Sequence, residues 1–184
     1  MAAAHFLNWI EGKAQGLRDV CELPPFAPLD PFELARKLDV NLVNLADLGL
    51  NAEVVDQLTL SDPSAWSAGL LLGREGQKFV VLNPTHNVRR HYASLMEELA
   101  HLWLKHKPSR LLSYGEMIVR TWKKTYETEA YWVGAAALLP RRIMKGARTL
   151  GLDATAVAEA HMVSEDLVHF RENVLGIRLP KVAA

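Results

Sequence analysis

The sequence has few of the features that mark secreted or membrane-spanning proteins. Its 184 residues include a single cysteine, Cys21, which excludes an internal disulfide framework and is typical of a reduced compartment. No run approaches the roughly 18 consecutive apolar residues of a membrane span. The start, MAAAHFLNWIEGKAQG, lacks the sustained apolar stretch of a signal peptide. These absences predict a cytoplasmic protein with no membrane partner.

Net charge is also absent, although charge is unevenly distributed. The chain has 21 basic and 21 acidic residues, which argues against the strong positive field of a dedicated nucleic-acid-binding protein. Residues 1–60 hold 4 basic and 9 acidic residues, whereas residues 105–148 hold 10 and 3. Such a basic block is usually a solvated helical surface and otherwise a surface for an acidic partner. The sequence leaves both interpretations open.

Apolar residues are abundant enough for a real core. They make up 49% of the chain, and a chain of this length usually forms one domain. We therefore predict a single domain over residues 1–184. It would comprise an N-terminal helical arm at about 1–22, a core at about 23–140 and C-terminal helices at about 141–178.

The predicted elements follow the order helix, strands, then helices. Short strands are predicted at 41–45, 68–72 and 78–82, the last two flanking a turn with two glycines. The strongest helical periodicity runs from about Asn87 to Lys105, and an alanine-rich helix follows from about Tyr126 to Leu139. Further helices are expected at residues 31–38, 141–150 and 154–175, the last either continuous or broken at 162–164, where Ser164 can cap a new start. This order predicts an α+β fold in which a small antiparallel or mixed sheet packs against a helical layer.

The stretch MEELAHLWLKH contains the first candidate site. Glu97-Glu98-Leu-Ala-His101 is one residue away from H-E-x-x-H, the helical motif in which two histidines bind zinc and the glutamate activates water. Glu97 and His101 are about 40° apart around a helix and could reach one ion. Glu98 could then accept a proton from water. The spacing alone is nevertheless more typical of a charged helix face exposed to water.

A second candidate lies on the alanine-rich helix. In ETEAYWVGAAALLP the face of Glu129 carries Trp132 and Val133, so this carboxylate should enter the core. An unpaired buried carboxylate is costly, which makes Glu129 either a metal ligand or the partner of a buried arginine. Glu127 also remains a candidate, because its own face of the helix carries Gly134.

Other polar residues carry less weight. His91 and His106 flank the first of these helices and are expected at the surface, although either could assist a nearby site. His161 and His169 fall in the C-terminal helices, where a structural role is expected. The sequence contains no glycine-rich phosphate loop and no Cys-x-x-Cys pair.

Three segments, in this order, resemble the ImmA/IrrE family of metallopeptidases. VVLNPTHNVRRHYASLMEELAHLWLKH is similar to the family's strand, Arg-rich turn and helix of the type R-x-x-x-A-H-E-L-G-H-x-x-x-H. ETEAYWVGAAALLP is similar to E-x-E-A-N-x-F-A-A-x-L-L-M-P, and HMVSEDLVHFRENVLG to F-x-V-S-x-x-x-V-x-x-R-L-x-x-L-G. The resemblance covers roughly residues 20–176 and implies a zincin-like active-site helix.

The resemblance also implies site residues, position by position. Glu98 matches the catalytic general base, and His101 and Glu129 match metal ligands. Glu97 stands where the family has its first histidine, so the implied ligand set is Glu97, His101 and Glu129. The implied cofactor is a divalent metal, with zinc as the first choice. An oxygen-rich set could instead favour manganese, or bind no metal.

The function implied by the resemblance is regulatory proteolysis. The family member would be a cytoplasmic metallo-endopeptidase acting on a helix-turn-helix DNA-binding repressor in phage, mobile-element or stress control. The alternative is a catalytically inactive interaction module, the partner of a repressor or antitoxin. Direct DNA binding by the C-terminal segment is a weaker hypothesis, because residues 149–184 hold 3 basic and 5 acidic residues.

Overall fold

One mixed sheet and a set of helices make up the fold, which confirms the predicted α+β class. The computed structural model describes residues 2–61, 64, 66–73, 75–107, 110–114 and 117–181. Within these residues the helices are α1 (Ala2–Val20), α2 (Pro31–Lys37), α3 (Ala52–Asp56), α4 (Val88–Trp103), α5 (Lys124–Leu138), α6 (Arg141–Thr149), α7 (Ala154–Ala160) and α8 (Glu165–Leu175). The strands are β1 (Val40–Val43), β2 (Ala68–Leu72), β3 (Lys78–Leu82), β4 (Arg110–Tyr114) and β5 (Met117–Thr121).

The sheet has the strand order β1-β3-β2-β5-β4. β1 runs parallel to β3, and the remaining neighbours are antiparallel. The hairpin of β2 and β3 has the bounds that the sequence predicts, with Leu70 opposite Val80 in the core. The hairpin of β4 and β5, which the sequence pattern does not predict, extends the sheet beyond β2.

The connection from β3 to α4 is fixed by two asparagines. The fully buried Asn83 donates its side-chain amide to the Trp66 carbonyl at 3.0 Å and accepts from the Thr85 backbone N–H at 3.0 Å. Asn87 then caps α4 by accepting from the Arg90 backbone N–H at 3.0 Å. Each bond satisfies a backbone group that the turn or helix start would otherwise leave unpaired. The start of α4, and with it the rotation of its faces, is thereby set.

Close packing of α5 against α4 forms the centre of the helical layer. A Cβ atom at Gly134 would lie 3.2 Å from the backbone carbon and oxygen of Met96, so a side chain there would push the two helices apart. The facing side chains of both helices are fully buried, among them Met96 and Leu99 on α4 and Val133 and Ala136 on α5. The residues next to Met96 on α4 are consequently held close to the side chains of α5.

Two fully buried arginines hold the carboxyl end of α5. Arg18 of α1 donates to the Ala137 carbonyl at 3.0 Å, and Arg171 of α8 donates to the Leu139 carbonyl at 2.9 Å. Arg171 also forms an ion pair with Glu11. Cations are favourable at a helix carboxyl end, where backbone carbonyls lack helical partners. These contacts fix α5 from two sides.

The first helix is part of the core. Ile10, Ala14 and Leu17 of α1 are fully buried, and Gly16 leaves room for the Trp103 ring of α4, which a Cβ atom would meet at 2.7 Å. α1 spans 19 residues. Among the residues that the structure describes, no helix combines the length and the apolar character needed to cross a membrane.

The α4–α5 contact can be tested with Gly134→Val. We expect this substitution to lower the free energy of unfolding by about 1–3 kcal/mol, because the new side chain meets backbone atoms that cannot rotate away. Gly12→Val on α1 is the matched control, since a Cβ atom there meets no atom within 4 Å, and should change it by less than about 0.5 kcal/mol. Urea denaturation measures both. Equal effects at the two sites would contradict the proposed packing.

Candidate metal centre

Three side chains from α4 and α5 converge at the helix contact. Glu97, His101 and Glu127 each offer one ligand atom, and these atoms all lie within 4.8 Å of one another. His101 Nε2 lies 3.3 Å from Glu127 Oε2. Imidazole nitrogen and carboxylate oxygen are both common ligands of zinc. The structure thus brings together two of the side chains predicted as ligands and adds Glu127.

Glu129 occupies a different place. Its carboxylate Oε2 lies 3.1 Å from His106 Nε2, and His106 Nδ1 lies 3.0 Å from His101 Nδ1. Glu127 and Glu129 are about 200° apart around α5, so the two carboxylates approach the histidines from different sides. The assignment of Glu129 as a ligand remains a prediction. Among the described residues, the carboxylate grouped with Glu97 and His101 is that of Glu127.

His106 reaches His101 because the chain reverses at the end of α4. Lys105 adopts a left-handed conformation with φ of 55°. The Lys105 backbone N–H donates to the Leu102 carbonyl and the His106 backbone N–H to the His101 carbonyl, both at 3.1 Å. This is the bond pattern of a Schellman helix end, where glycine is the usual residue at the left-handed position. The His106 side chain is buried, so the expectation of a surface histidine is wrong.

Aromatic rings enclose both histidines. The His101 ring stacks on Trp122 with centroids 4.1 Å apart, and the His106 ring stacks on Tyr126 at 4.4 Å. His101 is only 1% exposed. Burial, and after it the neighbouring His106, lowers the pKa of His101 to about 3. His101 is therefore a neutral imidazole with a free lone pair at neutral pH, as metal ligation requires.

The carboxyl groups of the site repel one another. Burial, followed by the Glu127 carboxylate, raises the pKa of Glu97 to about 7. Burial also raises the pKa of Glu127, whereas its hydrogen bond with Glu97 acts in the opposite direction. Two carboxyl groups that are hydrogen-bonded to each other share a proton when no cation is near. Glu97 and Glu127 therefore form a pair that a bound cation would stabilise.

Glu98 adds a third acidic group beside this pair. Burial, followed by the Glu97 and Glu127 carboxylates, raises the pKa of Glu98 to about 8. Its Oε2 atom is shielded from solvent and has no hydrogen-bond partner among the described residues. The side chains that shift the pKa values of these three carboxyl groups are all acidic. Within the described part of the chain, no lysine or arginine is among them. The donor set therefore fits a divalent cation, which would supply the charge that the protein lacks here.

The fold and the site together define a class of protein. A helix that carries Glu98 and His101, packed on a second helix that contributes a carboxylate beside a small mixed sheet, is the arrangement of a metallopeptidase-like domain. The chain belongs to the IrrE N-terminal-like domain family, peptidase family M78, whose sequence model matches residues 52–173, more than half of the chain. This match confirms the ImmA/IrrE resemblance. A comparison with curated proteins gave no match.

The sequence predicts only part of this site. Glu97, Glu98 and His101 follow from one helical motif. The sequence leaves Glu127 open, although the face of that residue carries Gly134, which lies against α4. Gly134 is the sequence signal that favours Glu127 over Glu129, because two helices can approach closely at a glycine. This signal decides between the two glutamates only once the helix that packs against Gly134 is known.

The buried acid Glu98 should make the metal-free protein sensitive to pH. Its pKa of about 8 in the folded state exceeds the ordinary 4.5, so the folded protein holds a proton that the unfolded chain releases. Stability from this group is therefore complete below about pH 4.5 and is lost as the pH rises toward 8. Glu98→Gln should remove this loss.

Thermal unfolding after metal removal tests this expectation. Between pH 5 and pH 8, the free energy of unfolding of Glu98→Gln should rise by about 1–3 kcal/mol relative to that of the unsubstituted protein. Glu159→Gln, at an exposed glutamate of α7, is the matched control and should show no such trend. A constant difference between Glu98→Gln and the unsubstituted protein across this range would contradict the burial of Glu98.

Proposed function

We propose that this chain is a metal-dependent endopeptidase with an altered ligand set. The observation that carries the proposal is the convergence of Glu97, His101 and Glu127 within 4.8 Å, beside a buried carboxyl oxygen of Glu98 that has no hydrogen-bond partner in the described part of the chain. Membership of a metallopeptidase family supports the same chemistry.

Each side chain has a distinct role in this proposal. Glu97, His101 and Glu127 would hold a divalent ion, which would supply Lewis-acid activation of water and of the peptide carbonyl. Glu98 accepts the proton of the attacking water and passes it to the leaving amine. Burial raises its pKa to about 8 in the metal-free protein, and a bound cation would lower that pKa toward the range in which a base works at neutral pH. Trp122, stacked on His101, keeps that imidazole in place and excludes water from one of its faces.

The proposed ion is zinc. One imidazole and two carboxylates form a set richer in oxygen than two histidines and one carboxylate, and such a set also accepts manganese. Two anionic ligands leave less positive charge on the ion to acidify water. The proposed enzyme therefore depends more on Glu98 as a base than an enzyme with two histidine ligands would.

The proposed substrate is a helix-turn-helix repressor or a similar regulatory protein, and the proposed location is the cytoplasm. Support for the substrate comes from the ImmA/IrrE family membership and from the three ordered motifs of the sequence. The single cysteine supports a reduced compartment.

Metal binding gives the first test. We expect the purified chain to bind about one equivalent of zinc, measured by elemental analysis and by calorimetric titration of metal-free protein. His101→Ala and Glu127→Ala should abolish this binding because each removes one of three ligands. Glu159→Ala, at an exposed site, should leave it unchanged.

Cleavage gives the second part of the same test. The probe is a helix-turn-helix repressor, taken from the genes that flank this chain's gene where they encode one, and its cleavage is followed by intact-mass spectrometry. Glu98→Gln should retain zinc and lower cleavage by about 10²–10⁴-fold, as expected when a general base is removed. A chain that binds no metal yet still binds that repressor would overturn the enzyme and support the inactive interaction module.

Glu97→His tests the altered ligand directly. If the Glu97 carboxylate reaches the ion, imidazole in its place should shift the preference from manganese toward zinc by about tenfold or more, because nitrogen ligands suit zinc better than manganese. Competition between the two metals, read by calorimetry, measures the shift. An unchanged preference would show that Glu97 lies outside the coordination sphere.

A further inference from the structure

A line of four polar side chains runs through the site. Glu127 Oε2 lies 3.3 Å from His101 Nε2, His101 Nδ1 lies 3.0 Å from His106 Nδ1, and His106 Nε2 lies 3.1 Å from Glu129 Oε2. Each histidine thus contacts one carboxylate and the other histidine. The proposed function uses only the Glu127 end of this line and gives no role to His106 and Glu129.

The line can be hydrogen-bonded in two directions. A neutral imidazole carries one N–H, and an ionised carboxylate only accepts. In the first direction His101 Nδ1–H donates to His106, and His106 Nε2–H donates to Glu129. In the second, His106 Nδ1–H donates to His101, and His101 Nε2–H donates to Glu127. In both cases the close contact between the two Nδ1 atoms contains one proton.

Only the first direction leaves His101 ready to bind a metal. It places the lone pair of His101 on Nε2, the nitrogen that faces Glu127. The second direction places a proton on that nitrogen and blocks it. The carboxylates at the two ends therefore compete for the tautomer of His101, and Glu129 favours the state that ligation needs.

The structure favours the Glu129 end. The two end contacts have similar lengths, 3.1 Å for His106 and Glu129 and 3.3 Å for His101 and Glu127. The Glu129 side chain is less exposed, at 34% against 44% for Glu127, and hydrogen bonds strengthen as water is excluded. Stacking on Tyr126 and the Schellman turn at Lys105 hold the His106 ring in line.

We propose that Glu129 is a positioning residue that acts through His106 to fix the Nδ1–H tautomer of His101. Ligating histidines commonly donate their other ring N–H to an outer group, and loss of that group weakens metal binding by about 10–100-fold. Here the outer group is a second histidine, His106, and the Glu129 carboxylate acts on His101 through it. This inference rests on the proposed function for its purpose, whereas the tautomer exists without any metal.

The closing experiment reads the tautomer itself. Metal-free protein with ¹⁵N-labelled histidine is measured by NMR at pH 8, where the two nitrogens of a neutral ring differ in shift according to which one is protonated. We expect His101 to be protonated on Nδ1. Glu129→Ala should move its population toward Nε2–H, Glu129→Gln should restore Nδ1–H because the amide oxygen still accepts, and Glu159→Ala should have no effect.

Zinc titration of the same variants separates this inference from the proposed function. Glu129→Ala should weaken zinc binding by about 10–100-fold, Glu129→Gln should lie near the unsubstituted protein, and Glu127→Ala should abolish binding. A His101 ring that stays Nδ1–H in Glu129→Ala, or is Nε2–H in the unsubstituted protein, overturns the relay. Loss of all zinc in Glu129→Ala with the tautomer unchanged would make Glu129 a direct ligand. Normal tautomers in a chain that binds no zinc would overturn only the proposed function.

Discussion

The close contact of α4 with α5 at Gly134 is the constraint on which the site depends. Glu97 and His101 belong to one helix and Glu127 to the other, so their ligand atoms meet only while the Met96 backbone rests on Gly134. Buried contacts of this kind resist small displacements because interiors are close-packed. The arginines that hold the carboxyl end of α5 keep the same helix from sliding or turning. The geometry of the centre is therefore a property of the core and not of a surface loop.

The sequence predicts those parts of the structure that depend on one element alone. The spacing of Glu97 and His101 within a helix, and the bounds of the β2–β3 hairpin, follow from local periodicity. The choice between Glu127 and Glu129 depends on how α5 is rotated against α4, which no pattern within α5 contains. The inward position of His106 depends on a left-handed residue at Lys105, where sequence preference favours glycine.

The β4–β5 hairpin also depends on contacts that local sequence does not predict. Its segments, RLLSY and MIVRT, are five residues each and stand between two strong helical signals. They join the sheet beside β2, where Leu71 lies opposite Val119, and β2 is more than forty residues earlier in the chain. A pairing across that separation depends on the assembled sheet and leaves little trace in local composition.

The raised pKa values of the carboxyl groups affect both the stability of the site and its affinity for a cation. Glu97, Glu98 and Glu127 all have raised pKa values, so the metal-free fold holds protons that a cation would displace. A histidine in place of Glu97 would remove one of these acidic groups and lessen the repulsion. In the proposed metal site the glutamate would instead increase the dependence on an ion, because negative charge that is costly in the metal-free protein would attract a cation. In the proposed enzyme, Glu97 would therefore attract a divalent ion more strongly than a histidine and would leave that ion a weaker activator of water, so that proton transfer would depend more on Glu98.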